Sequence, residues 1–191
     1  MWQQLIPGLR MMVVLTVLTG LIYPGVVTAI CKLVFAEKAN GSLAVVNGRP
    51  AGSYLIGQNF KRPEYFHPRP SAAGNDGYDA TSSLASNYGA TNQKLIDRVK
   101  VSVANFRNEN RGYKGPIPAD AVTASASGLD PEISPANAEA QTERVAHARG
   151  VSVEQVRSLI TQNTAGRDLG LLGEPRVNVL KLNMALDRTL R

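Results

Sequence analysis

The chain has 191 residues, with 21 basic and 15 acidic side chains for a net charge of +6, two histidines and a single cysteine. That length suits one domain beyond any membrane segment. The basic residues are scattered, without runs or interleaved aromatics, which argues against a nucleic-acid partner. Cys31 alone supports neither a disulfide nor a thiolate metal site.

Met11 to Cys31 carries no charged side chain. As a helix it would be about 31 Å long at ~1.5 Å per residue, matching a hydrocarbon core of about 30 Å. It reads as a transmembrane helix over 11–34, after a short tail of residues 1–10. A cleaved signal peptide competes, with small-residue sites at Val27-Thr28-Ala29 or Val34-Phe35-Ala36, but its apolar core would be shorter. A buried core helix competes less well, since apolar residues occupy every face. Pro24 removes a backbone donor inside the span and predicts a kink there, with Gly20 and Gly25 permitting close approach of a neighbour. Charge does not orient the span. Arg10 precedes it and Lys32, Lys38 and Arg49 follow it, a weak lean toward a cytoplasmic carboxyl side. A short amino tail before a long apolar segment instead resembles a signal anchor.

After the span, Ser42 to Val46 and Arg49 to Ile56 flank Asn47-Gly48, a strong signal for a hairpin with a type I′ turn. Phe60 to Asn92 is rich in Pro, Gly, Ser, Asn and aromatics and has no period. Tyr65, Phe66, Tyr78 and Tyr88 argue for an ordered loop docked on something. Thr91 begins a helix in which Leu95, Ile96, Val99, Val103 and Phe106 recur at helical spacing. Asp120 to Pro131 is small and polar, and reads as extended chain and turns. Ser134-Pro135 starts a helix that runs to Arg149 and stops at Gly150. Ser152 to Gln155 is a capping box for another. Asn163 to Pro175 reads as a Gly-rich connector, Val177 to Asn183 as a strand, and Met184 to Leu190 as a last helical turn or two. The fold class expected is α+β: one N-terminal transmembrane helix, then one soluble mixed domain over 35–191.

Catalytic constellations are scarce. The sequence has no G-x-x-x-x-G-K-[ST], H-E-x-x-H, C-x-x-C, Ser-x-x-Lys or G-x-S-x-G. His67 and His147 are far apart in sequence and read as surface residues. Asp120, Asp130 and Glu132 straddle a turn, and Asp130-Pro131 is a turn former. No catalytic residue, cofactor or metal is expected. If the long loop meets a partner, Gln58, Tyr65, Phe66, Arg69 and Asn87 are the candidate contacts. The alternative is that they close the loop on its own domain.

Several long stretches together resemble one family. These are Gly-Ser-Tyr-Leu-Ile-Gly-Gln-Asn-Phe (52–60), Tyr-Phe-His-Pro-Arg-Pro-Ser-Ala (65–72), Tyr78-Asp79, Ser86-Asn87 with Gly89 and Thr91-Asn92, Val-Thr-Ala-Ser-Ala-Ser-Gly-Leu-Asp-Pro-Glu-Ile-Ser-Pro (122–135), Arg144 to Gly150, and Leu-Gly-Glu-Pro-Arg-Val-Asn-Val-Leu (172–180). They are similar, in order and over nearly the whole chain, to the C subunit of the Kdp potassium-transporting P-type ATPase. One departure is Leu84-Ala85, where a Gly-Gly pair is expected.

The resemblance implies a non-catalytic accessory subunit of an ATP-driven, high-affinity potassium uptake complex in the bacterial inner membrane. Its partners would be a channel-like potassium-translocating subunit, a catalytic P-type ATPase subunit and a small accessory subunit, within the lipid bilayer. The chain lacks the Asp-Lys-Thr-Gly phosphorylation motif, in keeping with that division of labour. The family's orientation puts residues 1–10 in the cytoplasm and 35–191 in the periplasm, against the local charge count. Two rival functions stand beside it: a membrane-anchored periplasmic hydrolase using Ser125 or Ser127, and a modulator of nucleotide affinity acting through a region similar to Ser125 to Gln141.

Overall fold

A computed structural model describes residues 2–190. The chain divides into two compact units, one ending at Ala51 and one beginning at Gly52.

In the first unit, helix α1 (Trp2–Val17) passes through a π-helical turn (Leu18–Ile22) into α2 (Tyr23–Val34). The result is a single helix from Trp2 to Val34, long and apolar enough to cross a membrane, with its side chains exposed. Residues 2–10 are therefore helical and continuous with the span. The π turn lies just ahead of Pro24. Tyr23 N–H reaches back five residues to the Leu18 carbonyl. This wider turn accommodates a ring that would clash with the preceding α-turn and needs no donor, and Pro24 then sits in the first turn of α2. A short helix α3 (Ala36–Ala39) leads to strand β1 (Leu43–Val46) and to β2 (Arg49–Ser53), whose last two residues belong to the second unit. Asn47 (φ 51°) and Gly48 (φ 75°) are both left-handed, as a type I′ hairpin turn requires.

The second unit is α+β. Helix α4 (Gln93–Glu109) is capped by Asn92, whose side chain accepts from Lys94 N–H, so the cap falls one residue after Thr91. A 3-10 turn (Ala119–Ala121) and strand β3 (Glu132–Ile133) precede α5 (Pro135–Arg149) and α6 (Val153–Asn163). Ser134 caps α5 and left-handed Gly150 ends it, while Ser152 and Gln155 form the capping box of α6. Strand β4 (Thr164–Ala165) follows α6 directly, and β5 (Arg176–Asn178) pairs antiparallel with both β3 and β4. Residues 163–175, expected as a Gly-rich connector, thus contain β4 and the turn that joins it to β5 in a hairpin.

The strand expected over 177–183 is corrected. Only Arg176–Asn178 is extended, and α7 (Val179–Thr189) begins at once. Asn178 supplies the reason: its side chain accepts Lys181 N–H at 3.0 Å and caps a helix. Val179, Leu180, Leu182, Asn183 and Leu186 then fall on its buried face.

Helix α5 is the spine. Its Ala138, Val145 and Ala146 join Phe66, Ile133, Val156, Val177, Leu182 and Leu186 in the main core. Its Ala140 packs with Phe106 and Val122 in a second one. Small residues let the helix lie close to both.

Candidate functional site

The long loop is ordered because α5 and α7 grip its backbone. Asn183 Oδ1 accepts Phe66 N–H at 2.8 Å, and its Nδ2 donates to the Phe66 carbonyl at 3.0 Å. One residue on, Gln141 Oε1 accepts His67 N–H at 2.8 Å and its Nε2 donates to the His67 carbonyl at 3.1 Å. Both amides are buried. Each replaces the neighbouring strand that an extended segment otherwise needs to satisfy its peptide groups.

Arg144 ties the same stretch from the next turn of α5. Its guanidinium donates to the carbonyls of Pro63 (2.6 Å) and Tyr65 (2.9 Å), to Gln141 Oε1 (2.7 Å) and to Asn110 Oδ1 (3.0 Å). Burial pulls its pKa down to about 10, an effect that Glu109's charge opposes. Asn137 Oδ1 accepts from Gln141, and its Nδ2 donates to Asp120. Asp120 in turn accepts Ser134 N–H and the Ser134 hydroxyl. Asp120 is thereby a structural anchor for the start of α5.

A cleft of about 460 Å³ opens beside this grip, with His67, Tyr78, Asn105, Glu109, Asn137 and Gln141 among its walls. His67 Nδ1 faces Glu109 Oε2 at 3.2 Å, and Nε2 faces the Arg62 carbonyl at 3.1 Å. The His67 hydrogen bond holds the Glu109 carboxyl below its usual range, with partial burial opposing. Tyr78 donates to the Arg69 carbonyl at 2.6 Å, and burial pushes its phenol up to about 12. Among the described residues, no group of three or more His, Cys, Asp and Glu side chains is arranged to hold a metal.

The five candidate contacts separate. Phe66 is fully buried in the main core. Tyr65 is held between the guanidiniums of Arg62 and Arg149, 4.9 and 5.1 Å from its ring centre, and its hydroxyl donates to Asp187. Arg69 pairs with Asp130 at 2.9 Å. Gln58 is half-buried beside Gly52, where a Cβ would strike its amide. Asn87 is exposed, in a left-handed conformation (φ 50°). The loop's own domain takes up Tyr65, Phe66 and Arg69. Sequence reasoning missed the residues that hold them, Asn183, Gln141 and Arg144. The available signal was polar side chains on the apolar faces of two helices.

The two serines considered for hydrolysis face each other, with Ser125 Oγ 3.4 Å from Ser127 Oγ, and Ser127 Oγ also accepts Leu129 N–H. Both ring nitrogens of His67 are engaged elsewhere, and Gln141, at the end of the region considered for nucleotide, is spent on the loop.

Among the described residues one exposed apolar helix is long enough to cross a membrane, and the α+β domain after it spends its buried amides on its own architecture, the make-up of a membrane-anchored protein with a self-braced domain. Comparison with known proteins gives the family. The model of the KdpC family, described as the c chain of K+-transporting ATPase, matches residues 5–188. The chain is 54% identical over 189 residues to the potassium-transporting ATPase KdpC subunit of Koribacter versatilis, covering 99% of this chain and 96% of that protein. It is 52% identical over 189 residues to the KdpC subunit of Mycobacterium tuberculosis (strain H37Rv), covering 98% and 100% respectively. The chain belongs to the KdpC family and is a subunit of the potassium-transporting ATPase complex.

Proposed function

We propose that this chain is a non-catalytic accessory subunit that stabilises the assembly of the pump. Its helix packs in the inner membrane beside a channel-like potassium-translocating subunit. Its domain, with Asn87 and Gln58 on the loop side, faces the periplasm. A catalytic P-type ATPase subunit and a small accessory subunit complete the set. One observation carries the reading. Asn183, Gln141 and Arg144 spend their hydrogen bonds on holding the domain's own loop. A scaffold needs that rigidity, because ordering a thirty-residue loop at the moment of assembly would cost binding energy.

Two experiments test this. An affinity-tagged chain from potassium-starved cells should bring down the other pump subunits, and recovery of the chain alone would sink the proposal. A phosphatase fused after Arg191 should be active, as an exported domain requires. Fluorescence of a carboxyl-terminal reporter that works only in the cytoplasm would reverse the orientation and reopen a nucleotide role.

A further inference from the structure

Pro24 and the π turn together leave one backbone group of the transmembrane helix unpaired. In an α-helix the Thr19 carbonyl would accept the Tyr23 N–H, but that donor goes to Leu18, five residues back. In the π register it would accept from residue 24, which is proline and has no N–H. Among the described residues the Thr19 carbonyl therefore has no backbone donor. A threonine hydroxyl can stand in for a missing N–H in such helices. The hydroxyl of Thr19 itself is spent on the Leu15 carbonyl, at 2.7 Å.

The unpaired carbonyl lies deep in the span. Thr19 is nine residues beyond Arg10 and thirteen before Lys32, the charges that bound the apolar stretch. Along the helix these are about 14 and 20 Å at ~1.5 Å per residue, inside a hydrocarbon core of about 30 Å. At that depth no bulk water reaches a carbonyl, and an unpaired one is costly. The helix surface is also bare there. Gly20 follows directly, and a Cβ on it would meet only the Thr16 methyl of the same helix, at 3.9 Å. A Cβ on Gly25, on the other side of Pro24, would meet nothing within 4 Å. A neighbouring helix can therefore come close to this backbone.

We infer that the Thr19 carbonyl is the docking point for the potassium-translocating subunit, which donates a hydroxyl or amide hydrogen bond to it from a transmembrane segment. The inference rests on the accessory-subunit reading above, which seats this helix beside that subunit, and it adds the atom through which the two meet. Apolar side chains give a helix in lipid little reason to choose one neighbour, because the lipid tails are as apolar as they are. A carbonyl without a donor does give one, and lipid tails carry no donor. A second copy would bring its own Thr19 carbonyl to a two-fold contact, acceptor against acceptor. Gly20 and Gly25 also lack the G-x-x-x-G spacing of such a pair. A subunit that conducts a cation across the membrane, by contrast, carries polar side chains at membrane depth. A neutral donor suits the site, since a charged one costs more there.

The test uses the full-length tagged chain, co-expressed with the rest of the pump and with untagged wild-type chain competing for it. Pro24→Ala returns an N–H at position 24 and lets the helix close in α register, with the Tyr23 N–H on Thr19. It should occupy the pump about three- to tenfold less than tagged wild type. The α-hydroxy-acid analogue of alanine at position 24 also removes the ring but supplies no N–H, so a carbonyl of that turn stays without a donor. It should compete better than Pro24→Ala. Equal losses for the two would mean that the proline bend, not the hydrogen bond, sets the contact, and would overturn the inference. Independently, a photo-crosslinking phenylalanine in place of the exposed Tyr23 should form an adduct with the translocating subunit in intact membranes. An adduct with a different pump subunit, with a second copy or with lipid alone, or no adduct in a pump that purifies intact, would each overturn it. If the wild-type chain recovers the other subunits and Pro24→Ala competes equally, the docking point is wrong and the accessory role stands. If the wild-type chain recovers none, the accessory role itself fails, and the docking point with it.

Discussion

Asn183 holds Phe66 by both of its peptide groups, accepting the N–H at 2.8 Å and donating to the carbonyl at 3.0 Å, across 117 positions of sequence. Phe66 fills the main core, so this one amide fixes both the loop's path and its largest buried side chain. Truncating it leaves two buried backbone groups without partners, at about 1–3 kcal/mol each. Asn183→Ala should therefore destabilise the domain by about 3 kcal/mol or more, counting the cavity. At roughly 3 °C per kcal/mol for a domain of this size, the melting temperature should fall by about 10 °C. Circular dichroism of the purified chain checks this.

Arg144 makes a different kind of contact. One planar fork reaches Pro63, Tyr65, Gln141 and Asn110 at once. Lysine keeps the charge but offers a single point with three donors, which cannot span these four oxygens. Arg144→Lys should cost about 2 kcal/mol despite conserving charge. A urea denaturation series is the measurement. A midpoint indistinguishable from wild type would show that the fork geometry is dispensable.

The sequence carried the local features well and the distant ones poorly. Asn47-Gly48, Ser134-Pro135 with Gly150, and Ser152 with Gln155 each determine their own backbone through a turn or cap. Each appears where expected. Helix α7 was obscured because Val177, Val179 and Leu180 look strand-like in isolation, while the deciding group is the Asn178 cap. The long loop could be recognised as ordered from its aromatics. What orders it could not be, since Asn183 and Gln141 act from 117 and 74 positions away, and a polar side chain on a buried helix face does not say which segment it will hold.

Tyr78 gives the domain an alkaline limit. Its phenol is raised by burial from 10.0 to about 12. Below pH 10 the folded and unfolded chains both keep the proton, so this group adds no pH dependence. Between 10 and about 12 the unfolded chain releases it and the folded chain retains it. Stability therefore falls as pH rises through that window, by about 1.4 kcal/mol per pH unit from this group at most. Tyr78→Phe abolishes that slope. At pH 8 it should cost about 1 kcal/mol, through the lost hydrogen bond to the Arg69 carbonyl. Urea midpoints at pH 8 and pH 11 should show the variant weaker at the first and level with, or above, wild type at the second.

Gly128 and Gly150 separate two reasons for a glycine. Both are left-handed, at φ 69° and 67°. A Cβ on Gly150 meets open space, whereas one on Gly128 would lie 2.7 Å from the Leu84 carbonyl oxygen and 2.8 Å from Ala73 N. Both of those are backbone atoms of the long loop, and the loop is fastened there: Ser71 Oγ donates to the Gly128 carbonyl at 2.6 Å, and Leu84 N–H donates to the Ser127 carbonyl at 3.0 Å. Neither can give way as a flexible side chain would. Gly150→Ala should cost only the left-handed penalty of about 1 kcal/mol. Gly128→Ala adds a steric conflict with fixed backbone and should cost about 3 kcal/mol or more. Thermal unfolding of the two variants side by side isolates the close approach. Equal losses would mean that the loop yields where it crosses Gly128.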